Sequence, residues 1–451
     1  MTASLTATAS LTARFTANRL AHRLTLAALM VVSCGPAAPC VMAQATAPVV
    51  APAVAPAAAP APRDVSDTLE SLVAKHRIPA MAAAVVVGNT ITMHGVAGVR
   101  AAGSPTNATI DDLWHLGSCT KSMTATLAAI LVEKKLLTWE TTLGEAFPEL
   151  ANTMHARYKP VTLAQLCTNR GGVPTDLSAG GVWGSLWNER GSPVAARRLL
   201  LTGVTSRPPT YEPGTQNVYS NGGFAIAGHL CETKLGVAYE TLMERYLFSP
   251  LGMKSCGWGA PGTPRKGAEQ PDQPRGHDKA GKPMEPSGDG RGADNPQGIS
   301  PAGRLHCTID DWARYAALHL QSDRRNPHRH ESLLTLATAE KLHTPPDALS
   351  DYAFGWSRPE RPWAGPPGNR YVLTHGGSNT MWFSVIWVAP AANFAVVVCC
   401  NQAERGTTAC DQAAWALIQQ QLKVMKEAED AAEKNAPKTE PAANPAAEPG
   451  R

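Results

Sequence analysis

Ser118-Cys119-Thr120-Lys121 opens an apolar helical pattern, with its serine three residues before its lysine. On a helix that spacing places hydroxyl and amine on one face, one turn apart. A lysine that is neutral there takes the serine's proton and makes Ser118 a nucleophile. Taken alone, the tetrapeptide also describes a helix-capping serine followed by a solvated lysine. Two later segments add chemistry. Tyr219-Ser220-Asn221 is the one Tyr-x-Asn of the chain and follows the turn-forming Tyr211-Glu212-Pro213-Gly214-Thr215. A lysine cation nearby favours phenolate, so Tyr219 can act as general base or proton shuttle. Asn221 offers an amide to a substrate carbonyl or to the lysine. His375-Gly376-Gly377-Ser378 follows an apolar strand end. Its glycines let backbone approach a ligand closely, and the N–H groups of Ser378 and Ser118 can together stabilise an oxyanion.

The elements that must position these groups are legible in the hydrophobic pattern. Val65, Leu69, Leu72 and Val73 make one face of a first helix, capped by Ser66 or Asp64. Residues 81–87 and 90–96 read as strands joined at Gly88-Asn89, a hairpin signal. Helical segments and long Gly/Pro loops fill residues 118–343. Strands return at 371–374, 382–388 and 394–400, and a last helix places Trp415, Ile418, Leu422 and Met425 on one face. This order predicts an α+β fold. An antiparallel sheet of about five strands is flanked by the N- and C-terminal helices and carries an inserted helical lobe. Ser118 opens the insertion and the strand before His375 leads out of it, so a cleft at the lobe boundary would hold both.

In this order the three segments resemble the serine β-lactamase and D,D-peptidase superfamily. They look most like its branch of class C β-lactamases, D-alanyl-D-alanine carboxypeptidases, D-aminopeptidases and related esterases. That branch has Ser-x-x-Lys, then Tyr-x-Asn, then Lys-Thr-Gly or His-x-Gly. The stretch from Trp114 to Ser122 is similar to the family's nucleophile segment. Leu163, Leu166, Thr168 and Gly172, the stretch from Tyr211 to Gly228, Ser249-Pro250-Leu251-Gly252-Met253 and Ala302-Gly303-Arg304-Leu305 extend the similarity. It covers roughly residues 65 to 425. The resemblance implies a β-lactamase/transpeptidase-like fold and an acyl-enzyme on Ser118. Lys121 and Tyr219 would activate the serine and pass its proton on, and Asn221 would position them. Ser118 and Ser378 would supply the oxyanion N–H groups. His375, with Gly376 and Gly377 behind it, would face the substrate carboxylate or the shared hydrogen-bond network. The family chemistry calls for no metal and no cofactor.

The departures carry information. His375 stands where the branch often has a lysine, and a histidine is not a permanent cation near neutral pH. This shifts the expectation away from a strong β-lactamase and toward an esterase or a peptidase of other specificity. Asn169-Arg170 stands where the family often has Thr-Ser, and Cys119 is an uncommon neighbour for the nucleophile. The resulting expectation is an exported serine hydrolase. Its substrate would be a small molecule or peptidoglycan peptide: a β-lactam, a D-amino-acid peptide or a carboxylic ester. The alternative is a non-catalytic, penicillin-binding-like protein that recognises cell-wall peptides. The intact serine, lysine, tyrosine and asparagine argue against it.

Composition bounds the rest. With 451 residues, 43% hydrophobic and 17% charged, the chain can bury one large core or two smaller ones. A net charge of +4 on scattered basic residues does not point to nucleic acid. The basic run from Arg324 to His330 reads as a solvated loop, since no Cys or acidic cluster joins His328 and His330 to make a zinc site. Arg14, Arg19 and Arg23 precede an apolar stretch at 24–32, with no acidic residue before Asp64. That is an export signal, too short for a membrane span of about 20 residues. Ala43-Gln44-Ala45 would release a chain starting at Thr46. Val31-Val32-Ser33-Cys34 would instead leave a lipid-anchored Cys34, the one case with membrane contact. Either way the expected location is periplasmic or secreted. Residues 1–45 are then the signal, 46–63 an Ala/Pro spacer, 64–425 the folded domain and 426–451 a disordered Ala/Glu/Lys/Pro tail. Eight cysteines follow Ala45 and match no zinc pattern. Cys119 and Cys231 read as buried thiols. A disulfide such as Cys256–Cys307 is compatible with the periplasm, but the sequence assigns no pairs.

Overall fold

The early hairpin forms around Gly88-Asn89. In the computed structural model, which describes residues 61–264, 270–287, 291–330, 332–348 and 350–435, β1 (Arg63–Asp64) is followed by α1 (Ser66–His76), β2 (Ala80–Val87) and β3 (Thr90–Gly98). β2 and β3 pair antiparallel, with Val87 opposite Thr90. β4 (Trp114–His115) then leads to α2 (Thr120–Glu133). The inserted lobe continues with α3 (Pro193–Thr205), α4 (Asn221–Leu235), β5 (Gly257–Trp258), β6 (Leu305–Cys307) and α5 (Ile309–Gln321). β7 (Leu373–Ser378), β8 (Phe383–Ala389), β9 (Phe394–Cys400) and α6 (Ala403–Asn435) close the chain.

The main sheet runs β1-β3-β2-β9-β8-β7. Five strands pair antiparallel, and the two-residue β1 adds a parallel edge to β3, so the sheet has six strands where five were expected. Period-2 alternation sends β2 into two cores. Ala80, Ala82, Ala84 and Val86 join the core under the helical lobe, while Met81, Ala83 and Val85 join the core under α1 and α6. Both faces are covered, which is why β2 reads as an unbroken apolar run. α2 is buried from Thr120 through Leu131, so the helix behind the nucleophile runs through the interior.

Three expectations change. His375-Gly376-Gly377-Ser378 lies inside β7, not beyond its end, because the strand starts two residues later and runs further than its apolar residues suggested. The core face of α6 runs through Ala409, Ala413, Leu417 and Ile418, and Trp415 is 50% exposed beside it. Residues Lys426 to Asn435, expected in the tail, continue α6 as an exposed helix, as their Ala, Glu and Lys content favours. Residues 436–451, the signal and all but the end of the spacer lie outside the described residues. No described helix is long and apolar enough to cross a membrane. A second small sheet, β4-β6-β5, has strands too short to announce themselves in sequence.

Candidate active site

The nucleophile turn is pressed against β7 by glycines. Leu116 N–H donates to Leu305 O at 2.8 Å, and Gly117 follows with φ +49°. A Cβ on Gly117 would lie 2.4 Å from Ser378 N, and one on Gly377 would lie 2.1 Å from Leu116 O. No other residue fits at either position. Ser118 therefore sits just ahead of α2 with Ser378 beside it. Alternation along β7 sets which N–H groups are free. Thr374 pairs with Ser357 on the side away from β8, so Gly376 and Ser378 also point their N–H groups to that open edge. The Ser378 N–H faces the nucleophile turn, as an oxyanion donor must.

Lys121 is completely buried. Its Nζ lies 3.1 Å from Ser118 Oγ, 2.7 Å from Asn221 Oδ1 and 2.8 Å from Ala302 O. No carboxylate is among these partners. Burial holds the amine well below its ordinary pKa. A neutral amine has two N–H donors and one lone pair. In that form the Asn221 and Ala302 oxygens would take the two donors, and the lone pair would be left for the Ser118 O–H. The contacts thus fit a base at rest.

Asn221 opens α4, and Ser220 caps it by accepting from Gly223 N–H at 3.1 Å. The loop ahead of it is held by Asn169, whose Oδ1 accepts from Ser220 N–H at 3.1 Å. Asn169 has φ +57°, a conformation asparagine tolerates better than most residues. The family departure at this position therefore anchors the Tyr219 loop. Tyr219 lies with its ring centroid 4.6 Å from Lys121 Nζ. Its side chain is 37% exposed overall, but its hydroxyl end is desolvated, which pushes the phenol up to about 12 against a hydrogen bond with Ser118. The expected phenolate is thus corrected: burial outweighs the Ser118 hydrogen bond and holds Tyr219 as a phenol.

His375 lies beside Tyr219, with ring centroids 6.3 Å apart. Its Nδ1 lies 2.6 Å from Gly376 O and must donate to it, so Nε2 is the acceptor for Tyr352 OH at 3.3 Å. Burial, with the nearby Lys121, pushes its pKa down to about 4. His375 is therefore neutral at pH 7. Gly376 and Ser378 face the cleft edge of β7, while Gly377 meets the nucleophile turn.

Several groups had no sequence signal. The Ala302 carbonyl belongs to the Ala302-Gly303-Arg304 stretch that the resemblance marked, but nothing in a residue's type reveals a backbone acceptor. Tyr352 comes from a loop far from any motif. Asp294, its side chain fully buried, links the turn that carries Ser118 to the turn after β7. Its Oδ1 lies 2.9 Å from His115 Nε2 and accepts from Asn379 Nδ2 at 3.1 Å. His115 Nδ1 accepts from Gly117 N–H, and Asn379 Oδ1 accepts from Met381 and Trp382 N–H. Burial raises the Asp294 pKa, but His115 and Arg304 overcome it and hold the carboxyl at about 2. Cys119 is a buried thiol, 3.3 Å from His375 O and from Ser384 Oγ. Burial pushes it up to about 12, so it is no rival nucleophile.

The Beta-lactamase family matches residues 65–421. A beta-lactamase from Pseudomonas fluorescens is 28% identical over 221 residues, which are 49% of this chain and 56% of that protein. The chain thus spans little more than half the length of that relative. Penicillin-binding protein 4 from Amycolatopsis lactamdurans is 25% identical over 344 residues, 74% of this chain and 84% of the relative. The solved D-alanine carboxypeptidase from Burkholderia cenocepacia shares the fold, with a TM-score of 0.58 at 22% identity over 76% of this chain and 96% of that one.

Proposed function

The chain belongs to the Beta-lactamase family, and from that premise we propose that it is an exported serine hydrolase acting on carboxylic esters, and on amides that need no cationic anchor, through an acyl-enzyme on Ser118. The observation that carries this reading is the environment of Lys121: wholly buried, with no carboxylate among its contacts, and with Nζ 3.1 Å from Ser118 Oγ. Lys121 takes the hydroxyl proton as Ser118 attacks the substrate carbonyl. The developing oxyanion meets the N–H groups of Ser118 and Ser378. Tyr219, still a phenol, relays a proton to the leaving group. Water then attacks the ester of Ser118 along the same path.

The substrate preference rests on His375. A pocket built around a β-lactam or D-peptide carboxylate gains from a cation, and the neutral His375 supplies none. The carboxylate-free ester is therefore the favoured substrate among the three classes the motifs allow. Export is inferred from the residues 1–45 sequence alone.

Intact-protein mass spectrometry with a fluorophosphonate and with a penicillin tests both parts. The expected result is a fluorophosphonate adduct on the wild type that Ser118→Ala abolishes, and penicillin acylation at least ten times slower. No adduct with either reagent would overturn the reading in favour of a non-catalytic peptide-binding protein. Faster acylation by penicillin would overturn the ester preference alone.

A further inference from the structure

Two thiols outside the catalytic cleft face each other across the small β4-β6-β5 sheet. Gly257 pairs with His306 and Trp258 with Leu305. One step beyond, Thr308 N–H donates to Ser255 Oγ at 2.9 Å, and Ser255 Oγ donates to Asp311 Oδ2 at 2.6 Å. Between these two fixed contacts Cys256 stands opposite Cys307. Gly259 N–H donates to Arg304 O at 2.7 Å, which makes that the hydrogen-bonded pair. Alternation then makes Cys256 and Cys307 a non-hydrogen-bonded pair. Such pairs bring Cα atoms to about 4.5 Å, inside the range a disulfide spans. Both side chains pack against the same core. Burial first, and then the hydrogen bond with the Cys256 thiol, pushes the Cys307 thiol well above its ordinary pKa. The two thiols are thus neighbours in the reduced protein. Cys307 is fully buried, while Cys256 is partly exposed and open to attack by a reagent.

We infer that Cys256 and Cys307 form a cross-strand disulfide site, closed by exchange with a small disulfide oxidant. The step balances. The Cys256 thiolate attacks one sulfur of glutathione disulfide and releases one glutathione thiolate. The Cys307 thiolate then attacks the Cys256 sulfur and expels the second. Two protein thiols are oxidised, one glutathione disulfide is reduced, and the two protons leave with the two glutathiones. The bond closes the loop from residue 256 to 307. That loop carries Asp294, which ties the oxyanion turns together, and the Ala302 carbonyl that holds Lys121. Crosslinking would brace the scaffold of the site without touching its chemistry. A second pair in contact, Cys400 with Cys410, is wholly buried, and Cys400 Sγ already donates to Gln402 O. It offers no exposed thiol to an oxidant and serves as an internal control.

The test treats the folded full chain with glutathione disulfide or with dithiothreitol, alkylates free thiols after unfolding, and maps peptides without reduction. The expected result is a linked peptide pair carrying Cys256 and Cys307, with Cys400 and Cys410 alkylated. The oxidised wild type should melt roughly 5 °C higher than the reduced one. Cys256→Ser should lose that shift while keeping its hydrolytic rate within about twofold of the reduced wild type. Recovery of Cys256 and Cys307 as alkylated thiols after oxidation would overturn the inference. So would Cys256 halted as a glutathione adduct, because it would show that Cys307 is out of reach.

Discussion

α4 serves two buried basic side chains, one near each end, and treats them oppositely. At its start Asn221 offers a neutral amide oxygen to Lys121 at 2.7 Å. Further along, Glu232 offers a carboxylate to Arg197 of α3, with Nε–Oε1 at 2.9 Å and Nη2–Oε2 at 2.6 Å. Glu240 adds two more bonds to the same guanidinium, at 2.8 and 2.9 Å. Both basic side chains are completely buried. Burial alone lowers both, and for Lys121 it prevails. For Arg197 the two carboxylates outweigh it, and its pKa rises. Equal depth therefore does not decide charge; the partner does. Arg197 is a permanently charged strut between α3 and α4. Lys121 has its pKa lowered by burial, which favours the neutral amine.

Replacing Lys121 breaks this contrast most severely. Lys121→Arg keeps a cation but cannot deprotonate, and it should lower kcat/KM for an ester by about 10³-fold. Lys121→Met removes the amine and should lose a similar factor. A burst assay checks both, with thermal melting to show the variants folded. An arginine variant within tenfold of wild type would mean that Lys121 acts only as a positive charge. Arg197→Met should do the reverse. It leaves Glu232 buried without its main partner and should cost about 3–5 kcal/mol of stability, with kcat/KM of the folded fraction unchanged. The pH dependence follows from sign. Burial raises Glu232, but His229 and Arg197 hold it at about 2, below its ordinary 4.5. Its share of stability is therefore complete above about pH 4.5 and is lost as pH falls toward 2. Urea denaturation from pH 7 to pH 3 should show this acid slope in wild type and a flatter one in Arg197→Met.

The sequence disclosed the two regions unequally. Ser118, Lys121, Tyr219 and Asn221 were legible because local spacing and turn chemistry encode them. The strands and the two faces of the sheet followed from hydrophobic period. Arg197, Glu232 and Glu240 were silent, since a charged residue in a helical pattern reads as solvated until the facing helix is known. The same limit hid Asp294, Tyr352 and the Ala302 carbonyl, which reach the site through long-range packing. Neutrality of His375 was legible only in part. The residue type made it conditional, and burial, which only the folded chain reveals, decided it. The last helix overran its expected end because helix propensity extends α6 beyond the residues that bury its face.

The sharpest test makes the surroundings of Lys121 resemble those of Arg197. Asn221→Asp changes one atom group and places a carboxylate where Lys121 Nζ now meets an amide oxygen at 2.7 Å. By the logic of Arg197, the opposite charge should raise the Lys121 pKa, by about 1–3 units. The amine then binds a third proton, and its lone pair is no longer available to Ser118. Since catalysis needs the neutral form, wild-type kcat/KM should rise with pH through the lowered Lys121 pKa and then level off. In Asn221→Asp the same limb should move to higher pH. The variant would be slow at pH 7 and recover toward the wild-type rate in alkaline buffer. A pH series of ester hydrolysis, run with melting curves to keep within the folded range, reads this directly. A uniform loss at every pH, with the limb unmoved, would show that Asn221 matters for position alone. It would also show that Lys121 is not the group whose proton governs acylation.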